Sequence, residues 1–150
     1  MASVEKSVEV DVPVRAAYDQ WTQFEQFPQF MEGIKEVQQT SDDQLHWVAD
    51  VAGHREEWDA RITEQRPDQR IAWTSIGGTT QNAGVVTFHK LSDERTKVML
   101  QIDYEPEGIV EKVGDLLGVL DRRVEGDLKR FKELMESGAP VTGGWRGTIG

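Results

Sequence analysis

A chain of 150 residues has room for one domain around one core, and a 37% hydrophobic content with five Trp and five Phe is enough to fold. The formal charge of -10 excludes tracking of a nucleic-acid backbone and disfavours anionic lipid surfaces, leaving solubility as the ordinary use of such acidity. The absence of cysteine removes thiolate catalysis, disulfides and cysteine-bound zinc.

The first residues, Met1 to Lys6, lack the apolar core of an export signal, and no run reaches membrane-spanning length, so a cytoplasmic protein is expected. Val8, Val10 and Val12 alternate with polar residues as a half-buried strand, which Pro13 ends while opening a helix. Ala16, Ala17, Tyr18 and Trp21 give that helix an apolar face. Phe24, Phe27, Phe30 and Met31 continue the face across Pro28, which predicts two short helices instead of one.

After Gly33 the period becomes two. Strands are predicted from Ile34 to Thr40, over Leu45, Trp47, Ala49 and Val51, and over Trp58, Ala60 and Ile62. Further strands cover Ile71, Trp73 and Ser75, then Gly84, Val86 and Phe88, then Val98, Leu100, Ile102 and Tyr104. Short polar or glycine turns separate them, which favours an antiparallel meander over crossover connections. Finally Ile109, Val113, Leu117, Leu120, Val124, Leu128, Phe131 and Met135 step by three or four residues as the stripe of one long amphipathic helix.

One sheet face carries Trp47, Trp58, Trp73, Phe88, Leu100 and Ile102, and the other Asp50, Asp59, Arg61, Thr87 and Gln101. The expected fold is α+β: a curved antiparallel sheet of about seven strands, wet outside, wrapped around the C-terminal helix. Residues 1–138 form the single domain. Residues 139–150 lose periodicity and are expected to be a loose tail, in which Trp145 is a candidate partner anchor.

This order of elements resembles the helix-grip fold of the START-related (SRPBCC) superfamily, which includes polyketide cyclase/dehydrases and Coq10-like coenzyme Q-binding proteins. Local similarity lies in Pro13 through Trp21, Phe30-Met31, Trp47-Val48-Ala49-Asp50-Val51-Ala52-Gly53 and Trp58-Asp59-Ala60-Arg61-Ile62. It extends to Arg70-Ile71-Ala72-Trp73-Thr74-Ser75 and Asp127-Leu128-Lys129-Arg130-Phe131-Lys132. The resemblance implies an apolar cavity between sheet and helix, of the kind the superfamily uses for lipids, quinones, sterols, polyketides and hormones. It brings no catalytic motif.

The chemistry-bearing residues are sparse. His46 and His89 fall on the wet face and His54 in a turn, so no metal and no cofactor is expected. No Gly-x-Ser-x-Gly elbow occurs. Glu56 shares the inward parity of Trp58 and is a weak catalytic candidate as a buried acid, with a rim carboxylate as the simpler account. Tyr104 is a second weak catalytic candidate, and Tyr104 and Ser75 are candidate hydrogen-bonding groups for a ligand. Gly114, Gly118 and Gly126 weaken the long helix, by about 1 kcal/mol each relative to alanine, and so suggest close approach or spare volume.

The indoles decide the matter. Trp47, Trp58, Trp73, Phe88, Leu100, Leu117 and Leu120 are expected as the wall of a cavity, with Phe27, Phe30 and Met31 at its mouth, although the same rings are able to fill a core completely. The function read from this is binding of a hydrophobic small molecule. The alternative is a polyketide aromatase/cyclase in which Glu56 and Tyr104 handle protons. Neither nucleic acid nor membrane insertion is expected, and no oligomeric state follows.

Overall fold

The computed structural model describes residues 2–51, 53–78, 80–106, 113–138 and 146–150. Seven strands form one sheet in the order β1-β7-β6-β5-β4-β3-β2. They are β1 (Ala2–Val10), β2 (Ile34–Ser41), β3 (Gln44–Val51), β4 (His54–Arg66), β5 (Arg70–Gly78), β6 (Thr80–Ser92) and β7 (Arg95–Pro106). Every neighbouring pair is antiparallel. The meander runs in sequence from β2 to β7, and β1 then closes onto β7 in the register Val8 opposite Val98. The helices are α1 (Val14–Trp21) and α2 (Val113–Glu136).

Pro13 sits at the N-cap of α1 with φ -61° and ψ 151°, the geometry that proline holds in advance. The second predicted helix is a 3-10 segment, Phe24–Gln29. Pro28 lies inside it, and a residue without N–H and with a clashing ring is better tolerated in so short a turn than in an α-helix. Gly33 and Gly53 turn the chain at φ +84° and +83°, where a Cβ is disfavoured.

Inward side chains follow the predicted alternation. Leu45, Trp47 and Ala49 on β3, Trp58, Ala60 and Ile62 on β4, and Val98 and Leu100 on β7 are all buried. On α2 the stripe of Val124, Leu128, Phe131 and Met135 is buried against them. Lys6 of β1 pairs with Asp121 at 3.2 Å, and Lys132 donates to the Glu9 carbonyl at 3.1 Å, so polar ties run beside the apolar seam.

β5 is irregular where it matters. Ala60 lies opposite Ser75 and Asp59 opposite Gly77, so Ile76 is an extra residue, bulged out and 51% exposed. The end of the chain is also held. Arg146 forms ion pairs with Asp19 and Asp68, its guanidinium lies 5.3 Å from the Tyr18 ring centre, and Ile149 exchanges backbone hydrogen bonds with Gln65 at 2.9 Å. Trp145 lies outside the described residues. No helix among the described residues is long and apolar enough to cross a membrane.

Candidate functional site

A hollow of about 100 Å³ lies between the concave face of the sheet and α2. Trp47, Trp58 and Trp73 wall it, with Ala49, Leu100 and Ile102 beside them. Met31, Glu32 and Ile34 bound it from the connection before β2, and Arg123, Val124 and Asp127 from α2. Asn82 completes the described lining.

The register explains the wall. Trp47 and Trp58 are directly opposite on β3 and β4, and their rings stack at 5.7 Å with 10° between planes. Trp73 faces Gly84 across β5 and β6, and a Cβ at that glycine would collide with the indole, so the ring sits against bare backbone. Ala49, small and buried, leaves space at the same depth.

Among the described residues, the buried Nε1 donors of Trp47 and Trp58 have no hydrogen-bond partner. Such a donor costs about 1–3 kcal/mol while it stays unpaired. Trp21 Nε1 is also unpaired, but its ring is locked among other rings with no exposed surface. Those of Trp47 and Trp58 belong to side chains with a void beside them.

The α2 side is polar and tightly tied. Asp127 Oδ1 accepts the Glu32 backbone N–H at 2.9 Å and an Arg130 Nη2 hydrogen bond at 2.5 Å. Arg130 Nε donates to the Phe30 carbonyl at 2.8 Å, and Arg123 Nη1 to the Asp50 carbonyl at 2.5 Å. Gly33 is required here, since a Cβ would meet the Arg123 guanidinium and the Asp50 carbonyl. Burial pushes the Asp127 carboxyl up to about 6, against the opposing pull of the Glu32 N–H and Arg130.

Of the residues singled out in the sequence, Met31, Trp47, Trp58, Trp73 and Leu100 line the hollow. Phe27, Phe30 and Phe88 do not. Phe27 and Phe30 pack on Trp21 at 5.6 and 5.7 Å, and Phe88 packs on Tyr18 at 5.5 Å, so these rings fill their space. Ser75 lies outside the hollow, where its hydroxyl accepts the Asn82 N–H at 3.0 Å. Glu56 is half-buried and absent from the lining. The side chains of Tyr104, Leu117 and Leu120 lie outside the described residues.

His46 sits on the outer face between Asp59 at 2.8 Å and Glu57 at 3.2 Å, and the Asp59 hydrogen bond leads in raising its pKa. His89 meets the Thr87 hydroxyl at 2.9 Å. Among the described residues, no cluster of His, Asp and Glu is arranged to hold a metal.

Two site residues were readable but unread. Asn82 shares the period-two parity of Gly84, Val86 and Phe88, and Asp127 interrupts the stripe of Val124, Leu128 and Phe131. A polar residue at an apolar register position was the signal in both.

A seven-stranded sheet gripping one long helix around an apolar hollow defines a class, and the sequence places the chain within it. Residues 10–133 match the family described as polyketide cyclase / dehydrase and lipid transport, and the chain belongs to that family. It is 56% identical over 149 residues to an uncharacterised 17.2 kDa protein from the melC2-rnhH intergenic region of Streptomyces lincolnensis, covering 99% of both chains. The fold is similar to that of a START superfamily protein from Mycobacterium smegmatis, with TM-score 0.80, 16% identity, and coverage of 91% of this chain and 99% of that one. It is also similar to the Zhui aromatase/cyclase from Streptomyces sp. R1128, with TM-score 0.76, 18% identity, and coverage of 95% and 98%.

Proposed function

We propose that this protein binds a hydrophobic small molecule of lipid, quinone or polyketide type, with an apolar portion held in the hollow. The observation that carries this reading is the indole wall itself: stacked apolar faces beside an unfilled volume, with two N–H donors that have no partner among the described residues. Apolar burial at about 25 cal/mol per Å² supplies affinity, and a ligand carbonyl near either indole would relieve an existing cost. An apolar cavity of about 150 Å³ is enough for benzene. A hollow of about 100 Å³ therefore takes a ring-sized fragment after slight adjustment, and the rest of the ligand extends from it.

Native mass spectrometry of protein purified from its own host tests this, together with quenching of tryptophan fluorescence by N-phenylnaphthylamine. A bound adduct and saturable quenching are expected, and Ala49→Leu, which fills the hollow, should abolish both. A protein that is always empty and does not respond to the dye would end this reading.

A second reading, an aromatase/cyclase acting on a poly-β-ketone, is favoured by Asp127, a buried carboxyl at the hollow whose pKa is raised to about 6. A carboxylate there takes a proton from a methylene between two carbonyls. The carbanion attacks a further carbonyl, a C–C bond forms, and the alkoxide recovers the proton from the carboxylic acid. Asp127→Asn should then stop turnover while leaving dye binding intact, with Glu56→Gln and Tyr104→Phe as the parallel replacements.

A further inference from the structure

The sheet is not continuous beside the hollow. Pairing of β5 with β6 stops, among the described residues, at Thr74 opposite Ala83. Beyond that point β5 remains paired to β4 as far as Gly78 opposite Trp58, and β6 remains paired to β7 as far as Thr80 opposite Pro106. A frayed hairpin tip would lose both partners. Here each strand is held by its outer neighbour, and the parting lies between two anchored edges.

The cause is local. The bulge at Ile76 bends the end of β5 (bulges commonly do so beside functional sites). Gly78 at φ +121° lets β5 press onto β4 at Trp58, where a Cβ would collide. The Ser75 hydroxyl takes the Asn82 N–H in place of a ladder carbonyl, which confirms that the strands have separated.

The resulting slit has a volume of about 380 Å³. Its lining includes Ser75 and Asn82, which share the inward parity of Trp73 and Gly84, together with Thr74, Gln81 and Asp103 of the opposite parity. A space lined by both parities crosses the sheet. Asn82 lines the slit and the hollow alike, so the two spaces are neighbours on either side of that residue. The hollow alone falls below the roughly 300–1,000 Å³ of small-molecule sites, whereas the neighbouring slit falls within that range.

We propose that the β5–β6 slit is the second half of the binding site and selects an amphipathic ligand: an apolar ring in the hollow, with an uncharged hydroxyl- or amide-bearing end in the slit. This rests on the ligand-binding reading above and goes beyond it by fixing the ligand's polarity. The side chains of Ser75 and Gln81 present a hydroxyl and an amide to such an end. The Asp103 carboxylate in the same lining disfavours an anion.

Three matched probes test it: ethylnaphthalene, naphthylethanol and naphthylacetate, each titrated against tryptophan fluorescence. The alcohol should bind about 5-fold tighter than the hydrocarbon, the effect of roughly one net hydrogen bond, and about 10-fold tighter than the acid. Gly77→Phe puts a ring where an added Cβ meets nothing within 4 Å, and it should remove the alcohol's advantage. Gln81→Phe, at an exposed position in the same lining, should do likewise. If the hydrocarbon binds and the alcohol has no advantage, or if both variants preserve it, the slit assignment is overturned while the hollow stands. If none of the three binds, both assignments fall.

Discussion

The rings on the concave side divide into two groups with opposite packing. Around Trp21, the rings of Phe27, Phe30, Phe88 and Phe131 lie at 5.6, 5.7, 6.4 and 5.1 Å, the first two tilted and the last two edge to face. They come from α1, the 3-10 segment, β6 and α2, so they converge from several directions and leave no space. Around the hollow, Trp47, Trp58 and Trp73 come from adjacent strands of one sheet and face α2 residues of lower bulk or higher polarity, Arg123, Val124 and Asp127. Phe27, 5.5 Å from Trp47, joins the two groups. Aromatic content alone therefore does not fill a core. Bulk must arrive from opposite sides.

The largest expected effect contrasts the two groups directly. Phe131→Ala, at a fully buried ring, should lower unfolding free energy by about 3–5 kcal/mol. Trp73→Ala, at a partly buried ring bordering a void, should cost less than half as much, read from urea midpoints with unchanged slopes. Equal losses would erase the contrast.

Next comes Asp127. Burial holds its folded pKa at about 6, above the ordinary carboxyl value of 3.8, so its protonated form favours the folded state. The corresponding stability is complete below the unfolded value and is lost as pH rises through about 6. Asp127→Asn should lack this fall, and the stability difference between the two proteins should change by on the order of 2 kcal/mol across that window. A pH-independent difference would mean that the carboxyl is effectively solvated.

The smallest effect sharpens the comparison from the helix side. Among the described residues, a Cβ at Gly118 would meet only Arg122 of its own helix, at 3.7 Å. Gly118→Ala should therefore add about 0.5–1 kcal/mol of stability. A loss would show that this glycine is needed for close packing after all.

Much of the fold was legible because a strand's period reports its face directly and the α2 stripe reports a buried helix. Gly33 and Gly53 marked turns, and Trp47, Trp58 and Trp73 fell on the inner side as read. The fate of Phe27, Phe30 and Phe88 was not legible. Period gives a residue's side of the sheet, but not what stands opposite it, and convergence of rings from four elements is a tertiary fact. The slit was hidden for a related reason. Only the pairing register shows that Ile76 is an extra residue, while the sequence Ser75-Ile76-Gly77-Gly78 reads as a plain hairpin end.

The pairing of the first strand with the last has a consequence for biogenesis. Ala2 lies opposite Tyr104 and Val10 opposite Thr96, so β1 waits for nearly a hundred residues of synthesis before its partner exists. Until then, Val4, Val8 and Val10 have no neighbouring strand and no α2 to cover them. Closure of so long a loop makes the docking of β1 a late, slow event. The nascent chain thus carries a valine-bearing edge that stays unpaired until β7 has been made.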